Sequence, residues 1–200
     1  MKWNWFLLAI MWIAIGGMPS AVGSDSRDYL YRRNRLRGED CQANLRLIYR
    51  YLKNYAANHN GKLPAADNSR GLRELLVYGI ELPAFQCEAA KSKKAKKIEE
   101  FNDDTTPYFY FGGVNLPQTE KICPKLLLLC DRPDSRHCNV LLADGTVLNL
   151  EKTNIKPLPE RKISNCQDIV EFLNDIYHYP TDVLGTLRIK ARRFDDLNKK

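Results

Sequence analysis

Two hundred residues, 44% of them apolar and 28% charged, suffice for one domain with a real core and are too apolar for a wholly disordered chain. Charge interrupts every long stretch but one, which excludes a multi-span membrane protein. The 31 Lys and Arg against 24 Asp and Glu leave a net charge of +7, an excess that suits nucleic acid, anionic lipid or an anionic envelope polymer alike.

Residues 1–23 place Lys2 before an apolar run from Trp5 to Ile15, then break at Gly16, Gly17 and Pro19 and end on Ala21-Val22-Gly23. This order of charge, apolar run and small residues is that of a secretory signal peptide, and an uncleaved membrane anchor over 3–23 is the alternative. Either way the chain is expected to be exported, to the periplasm or the extracellular space. Six cysteines fit that compartment, where disulfides are the default. Residues 24–40 mix Arg with Asp and Glu and read as a charged linker or a helical lead-in, with Gly38 arguing for a break.

From Cys41 the pattern sharpens. Cys41, Leu45, Ile48, Leu52 and Tyr55 recur at steps of three and four and so share one face of a helix. Asp40 is its expected N-cap, and Asn58-His59-Asn60-Gly61 its stop. A second, shorter helix is expected from a Ser69 cap through Leu72, Leu75, Leu76 and Tyr78 to Gly79. Phe85-Gln86-Cys87 then returns to the core. Lys91 to Lys97 followed by Glu99, Glu100, Asp103 and Asp104 reads as a solvated loop.

The second half changes period. Tyr108–Phe111, Leu126–Cys130, Asn139–Ala143 and Thr146–Leu150 read as strands of a three- to four-stranded antiparallel meander. Asp144-Gly145 between the last two predicts a type I′ turn. Ser164 or Asn165 caps a late helix carrying Ile169, Phe172, Leu173 and Ile176, which Pro180 ends. Residues 152–200 are thus a C-terminal helical extension whose last twenty residues form a basic, partly loose tail. The fold class is α+β, with a long N-terminal helix packed on the meander over residues 41–151.

Four sequence blocks carry a resemblance. Cys41-Gln42-Ala43-Asn44-Leu45-Arg46 with Tyr55, Gly61-Lys62-Leu63-Pro64, Phe85-Gln86-Cys87, and His137-Cys138-Asn139-Val140-Leu141-Leu142-Ala143-Asp144-Gly145-Thr146-Val147 resemble, in this order, prepilin-like bacterial proteins related to the major pseudopilin of type II secretion. Asn44, Leu45, Pro64, His137, Asp144 and Gly145 are the motif positions. The chain lacks the prepilin peptidase site of those proteins, so the resemblance implies their fold without their filament assembly. It implies a Cys41–Cys87 disulfide, closing a loop of about 45 residues with a stabilisation of roughly 3–4 kcal/mol. It also raises a calcium loop, for which Asp131, Asp134 and Asp144 are the available oxygens. The plainer reading is that Asp144-Gly145 makes the turn and His137 bonds loop backbone.

Three other chemistries compete for the remaining residues. Cys130 and Cys138 flank a turn and are suited to pair across neighbouring strands. Cys123, Cys130, His137 and Cys138 form a three-cysteine, one-histidine zinc set, although adjacent His137 and Cys138 should point to opposite faces of a strand. Cys138 or Cys130 with His137 or His178 would make a thiol nucleophile and its base. The basic segments Lys91–Lys97 and Arg188–Lys200 accompany no nucleic-acid motif. The expectation is an exported, non-enzymatic structural or interaction module of the envelope or of a secretion-related assembly. It would use no cofactor and bind no nucleic acid, and would have a protein partner in the envelope. It would touch membrane only if residues 3–23 stay uncleaved. The alternative is an exported metal- or thiol-dependent enzyme using Cys123, Cys130, His137 and Cys138.

Overall fold

A computed structural model of the chain describes residues 26–87, 90, 92–133, 137–151 and 163–199, with side chains described from residue 39. The signal or anchor segment, Lys91, Asp134, residues 152–162 and Lys200 lie outside the described residues. The chain divides at Arg33/Asn34 into two units. Of the first, the opening turns of the first helix are described; the second holds the sheet and all the remaining helices.

The fold is α+β. Helix α1 (Ser26–Asn58) is followed by α2 (Asn68–Glu74), strand β1 (Tyr108–Tyr110), α3 (Leu116–Ile122), β2 (Leu127–Asp131), β3 (Asn139–Leu142), β4 (Val147–Asn149), α4 (Cys166–Tyr177) and α5 (Thr181–Leu197). The strands form one antiparallel sheet in the order β1-β2-β3-β4, which is a meander. Their expected positions hold to within a residue or two.

α1 buries the face anticipated for it. Leu45, Ile48 and Leu52 are fully buried and Tyr55 nearly so, each aliphatic side chain contributing roughly 1.5–3 kcal/mol when withdrawn from water. The helix does not begin at Asp40, however: it runs unbroken through Gly38, and Asp40 sits inside it as an exposed residue. A single Gly costs a helix only about 1 kcal/mol, less than the propagating turns on either side supply. The stop is as expected, with Asn60 (φ 52°) and Gly61 (φ 80°) both left-handed and the Gly61 N–H donating to the Ala56 carbonyl at 2.8 Å.

Three local details differ from the expectations. α2 starts one residue before Ser69, which donates instead to the Asp103 carboxylate through both its N–H and its hydroxyl. The β3–β4 turn is not type I′, because only Gly145 has positive φ (82°). Its N–H donates to the Leu142 carbonyl and the Leu142 N–H to the Thr146 carbonyl, both at 2.9 Å. That is a type I turn closed by a left-handed Gly in a bulge. Finally, α4 ends at left-handed His178 (φ 51°), and Pro180 opens the next helix rather than closing this one.

That next helix is the main correction. The tail expected to be loose is the 17-residue helix α5, which buries Leu187, Ala191, Phe194 and Asp195. Leu187, Ala191 and Phe194 fall at steps of three and four, the spacing of a core stripe, beneath a cover of basic residues. With α5 in place the sheet is covered on both faces, and β1, β2 and β3 are buried throughout. Phe109 and Phe111 point toward α5, each with its ring 5.0 Å from that of Phe194. Tyr110 points the other way, its hydroxyl donating to the Pro64 carbonyl at 3.1 Å beside Gly71 of α2. The aromatic run of β1 is therefore all core.

Candidate functional site

The α1 side of the sheet holds a closed polar cluster. Cys41 opens the buried stripe of α1, one turn before Leu45. Asn44, on the next face, donates from Nδ2 to the Gln86 carbonyl at 2.9 Å, and Gln86 donates from Nε2 to the Ala95 carbonyl at 3.0 Å. Those two bonds hold the chain after Phe85 against the helix and bring Cys87 to Cys41, with 2.7 Å between the sulfurs. Asn44 thus acquires a physical role: it sets the approach of the second cysteine.

The sheet supplies the other half. Asp131 ends β2 and His137 immediately precedes β3, so the β2–β3 connection folds the imidazole back over the carboxylate. His137 Nε2 lies 3.3 Å from Asp131 Oδ2 and 3.5 Å from the Cys87 sulfur. Asp131 Oδ2 also accepts from the Asn139 N–H and from Asn139 Nδ2, both at 2.8 Å. Asn139 Oδ1 in turn accepts from Asn149 Nδ2 at 3.0 Å and Gln42 Nε2 at 3.3 Å. One network therefore joins α1, β2, β3 and β4. Asp131 Oδ1 and His137 Nδ1 are buried without a hydrogen-bond partner among the described residues.

Burial governs the ionisation here. Loss of solvent pushes the Asp131 carboxyl up to about 7, although His137 and Asn139 pull it down. Burial also pulls the His137 imidazole down, but the Cys87 contact and the Asp131 charge outweigh it and leave its pKa raised. The Cys41 thiol is pushed far up by its hydrogen bond to Cys87 and by burial.

The sequence-derived metal set does not assemble. His137 joins Cys41 and Cys87, their ligand atoms all lying within 4.8 Å of one another, and no other such group occurs among the described residues. Cys123, Cys130 and Cys138 lie elsewhere. Cys123 is half-buried at the end of α3. Cys130 pairs with Phe109 and Val140 across the sheet, and its sulfur is 3.9 Å from that of Cys166 at the start of α4. Cys138 is two residues before Val140 on β3, so it stands diagonal to Cys130. Diagonal neighbours are about 7–8 Å apart, beyond easy bridging, and the geometry favours Cys166 over Cys138 as the partner of Cys130. His178 caps the far end of α4, about 18 Å along the helix from Cys166, and is exposed.

The calcium idea separates in the same way. Asp131 is wholly buried in the cluster, whereas Asp144 lies beyond the opposite end of β3, bound to Lys125 Nζ at 2.6 Å and accepting from the Thr146 N–H at 3.0 Å. Asp144 shapes the turn. Tyr49 of α1 donates to the Ala143 carbonyl at 2.9 Å and lies against Gly145, where an added Cβ would meet its ring at 2.4 Å. Of the other motif residues, Leu45 and Pro64 are buried, and the Pro64 carbonyl accepts from both Tyr110 and the Gly113 N–H.

A cleft of about 340 Å³ lies between the sheet and α5, lined by Phe111, Val114, Leu127, Val183, Leu187 and Lys190 among others. Lys190 is already engaged there by Asp67 at 2.7 Å and the Gly112 carbonyl at 2.8 Å. The basic segments are divided as well: Lys93, Lys94, Lys96 and Lys97 are solvated, while Arg188 forms a two-pronged pair with Glu171 at 2.6 and 2.7 Å. No helix among the described residues is long and apolar enough to cross a membrane.

Sequence reasoning had Cys41, Cys87, Asp131 and His137 in hand but never as one group. The signal that joins them is indirect: Asn44 as a bracket for the Phe-Gln-Cys segment, and an Asp placed six residues before a His across one strand connection. Compared with known protein families, curated proteins and solved structures, the chain finds no match in any of the three.

Proposed function

We propose that this chain is an exported, non-enzymatic structural or interaction module on a pseudopilin-like plan, acting in the cell envelope or in a secretion-related assembly. The observation that carries the reading is the burial of its reactive groups. Cys41, Cys87, Asp131 and His137 are between 0 and 5% exposed, and a nucleophilic cysteine needs access and a lowered pKa, the reverse of what the hydrogen bond to Cys87 and burial do to Cys41. A sealed cluster reached from four separate segments acts as a tie for the fold. The alternative enzyme set of Cys123, Cys130, His137 and Cys138 is split, with Cys123 at the end of α3, Cys130 toward α4 and His137 toward α1, and gains no support from this arrangement.

In the export compartment Cys41 and Cys87 would be joined. Their two thiols would pass two electrons and two protons to a disulfide of the compartment's thiol-oxidising machinery, leaving one S–S bond. The reading is tested by expressing the full chain in a bacterium, fractionating the cells, and measuring intact mass with and without reduction. It expects a product beginning near Ser24 outside the cytoplasm (or the full chain in the membrane fraction), oxidised at Cys41–Cys87 and crosslinkable to envelope proteins. Full-length reduced protein confined to the cytoplasm would overturn it.

A further inference from the structure

The cluster has a second chemistry open to it. We propose that, in the dithiol form of the protein, Cys41, Cys87, His137 and Asp131 bind one zinc ion at the junction of α1 and the sheet. The inference does not depend on where the protein resides; it concerns the same sulfurs in their reduced state.

The donor set is the first argument. Two thiolates, one imidazole and one carboxylate oxygen satisfy a four-coordinate ion that accepts sulfur, nitrogen and oxygen together, which describes zinc better than calcium or magnesium. Spacing is the second. Tetrahedral zinc with ligand distances of about 2.3 Å to sulfur and about 2.0–2.1 Å to nitrogen and oxygen sets edges of about 3.5 Å for S···N and about 3.3 Å for N···O. The protein holds Cys87 Sγ 3.5 Å from His137 Nε2, and that nitrogen 3.3 Å from Asp131 Oδ2. The sulfur–sulfur distance, 2.7 Å, must open by about 1 Å to reach the zinc edge, and the sulfurs must approach Asp131, which lies outside the 4.8 Å group formed by Cys41, Cys87 and His137. Cys87 can supply that movement: it lies just beyond the helical turn Leu82–Phe85, in a segment without helix or strand, whereas Cys41 is fixed in α1.

The surroundings give the third argument. Asp131 Oδ1 is wholly buried and has no hydrogen-bond partner among the described residues, an expensive arrangement for a carboxylate oxygen. The Asn139 donors, which hold Asp131 Oδ2 from the sheet side, supply the outer support that metal-binding carboxylates ordinarily have. Oxidation consumes both sulfurs, so disulfide and zinc exclude each other, and the redox state of one pair selects which tie the fold carries.

The test uses the protein as purified from cells, reduced with a phosphine under argon, stripped with a chelator, and titrated with zinc against a chromophoric competitor. Cobalt(II) serves as a spectroscopic stand-in. One equivalent of zinc is expected, with a tetrahedral cobalt spectrum that includes thiolate-to-metal charge transfer. Cys41→Ser and His137→Ala should each weaken binding at least tenfold, and Asp131→Asn about tenfold; Cys123→Ser and Cys166→Ala should not change it. The oxidised wild type, folded but without thiols at the site, should bind none, and this comparison stands even if a variant fails to fold. Absence of stoichiometric binding by the reduced, folded wild type would overturn the proposal. So would a cobalt spectrum without thiolate bands, or binding abolished by Cys123→Ser. Export and oxidation of the protein bear on the proposed function alone and leave this result unaffected.

Discussion

The two faces of the sheet are built on opposite principles. Toward α4 and α5 the contacts are rings and aliphatic groups: Phe109 and Phe111 against Phe194, and Cys130 against Cys166. Toward α1 the far end of the meander is closed by a polar network in which Asp131, Asn139, His137 and the Cys41–Cys87 pair hold one another. The first face is held by area withdrawn from water, which tolerates small displacements. The second is held by directional contacts, each of which leaves a buried polar atom behind if its partner is removed. The apolar stripe of α1, Leu45, Ile48 and Leu52, adds area withdrawn from water on the second face as well, and the polar network at its end fixes which segments meet.

The sharpest break in that comparison is Phe194→Ala. It removes the ring that meets both Phe109 of β1 and Phe111 just beyond it, and it should cost about 3–5 kcal/mol, read as a fall in the urea midpoint. A loss below about 1 kcal/mol would mean that α5 adds little to the core. Asp131→Ala tests the other face. Stranding both Asn139 donors should cost about 2–3 kcal/mol in the reduced, metal-free protein, and calorimetry giving an unchanged melting temperature would contradict a polar network that holds this face.

Two smaller effects sharpen the contrast. Asn165 caps α4 in a capping box with Asp168, and Asn165→Ala should lose about 1 kcal/mol on the apolar side, measured as a lower urea midpoint. At the exposed hairpin, burial nudges the Asp144 carboxyl upward, but Lys125 and Thr146 more than offset it and hold it below its ordinary value. A depressed folded pKa gives stability that is present above the unfolded value and lost as pH falls through the folded one. Asp144→Asn should therefore cost roughly 0.2–1 kcal/mol near neutral pH, and the difference from wild type should vanish in acid. A penalty that persisted at low pH would assign Asp144 a role other than its ion pair.

Much of the fold was legible because its signals are local. The stripe from Cys41 to Tyr55, the four strands and the Asn165 cap all follow from periodicity or from a side chain bonding its own neighbourhood. α3 was overlooked although Asn115-Leu116-Pro117 is a helix start, with the Asn115 side chain accepting from the Gln118 N–H. α5 was overlooked because its basic surface masked the Leu187, Ala191, Phe194 stripe. The candidate site was legible only in parts. Nothing local links Cys41 to Asp131; about ninety residues and a sheet register intervene. His137 and Cys138 are expected to face apart, as strand neighbours do, but nothing in the sequence aims the imidazole at Cys87.

If the Cys41, Cys87, His137 and Asp131 cluster is sealed and acts as a tie, its sulfurs should be reachable only when the fold opens. Thiol labelling of the reduced, metal-free protein across a urea series, with each cysteine followed by mass spectrometry, tests this most directly. The account predicts that Cys123, half-exposed on α3, reacts under native conditions. Cys41 and Cys87 should react only at the rate of global unfolding and with its dependence on urea. Rapid native labelling of Cys41 or Cys87, independent of urea, would show a pocket open to reagents and would contradict the structural reading.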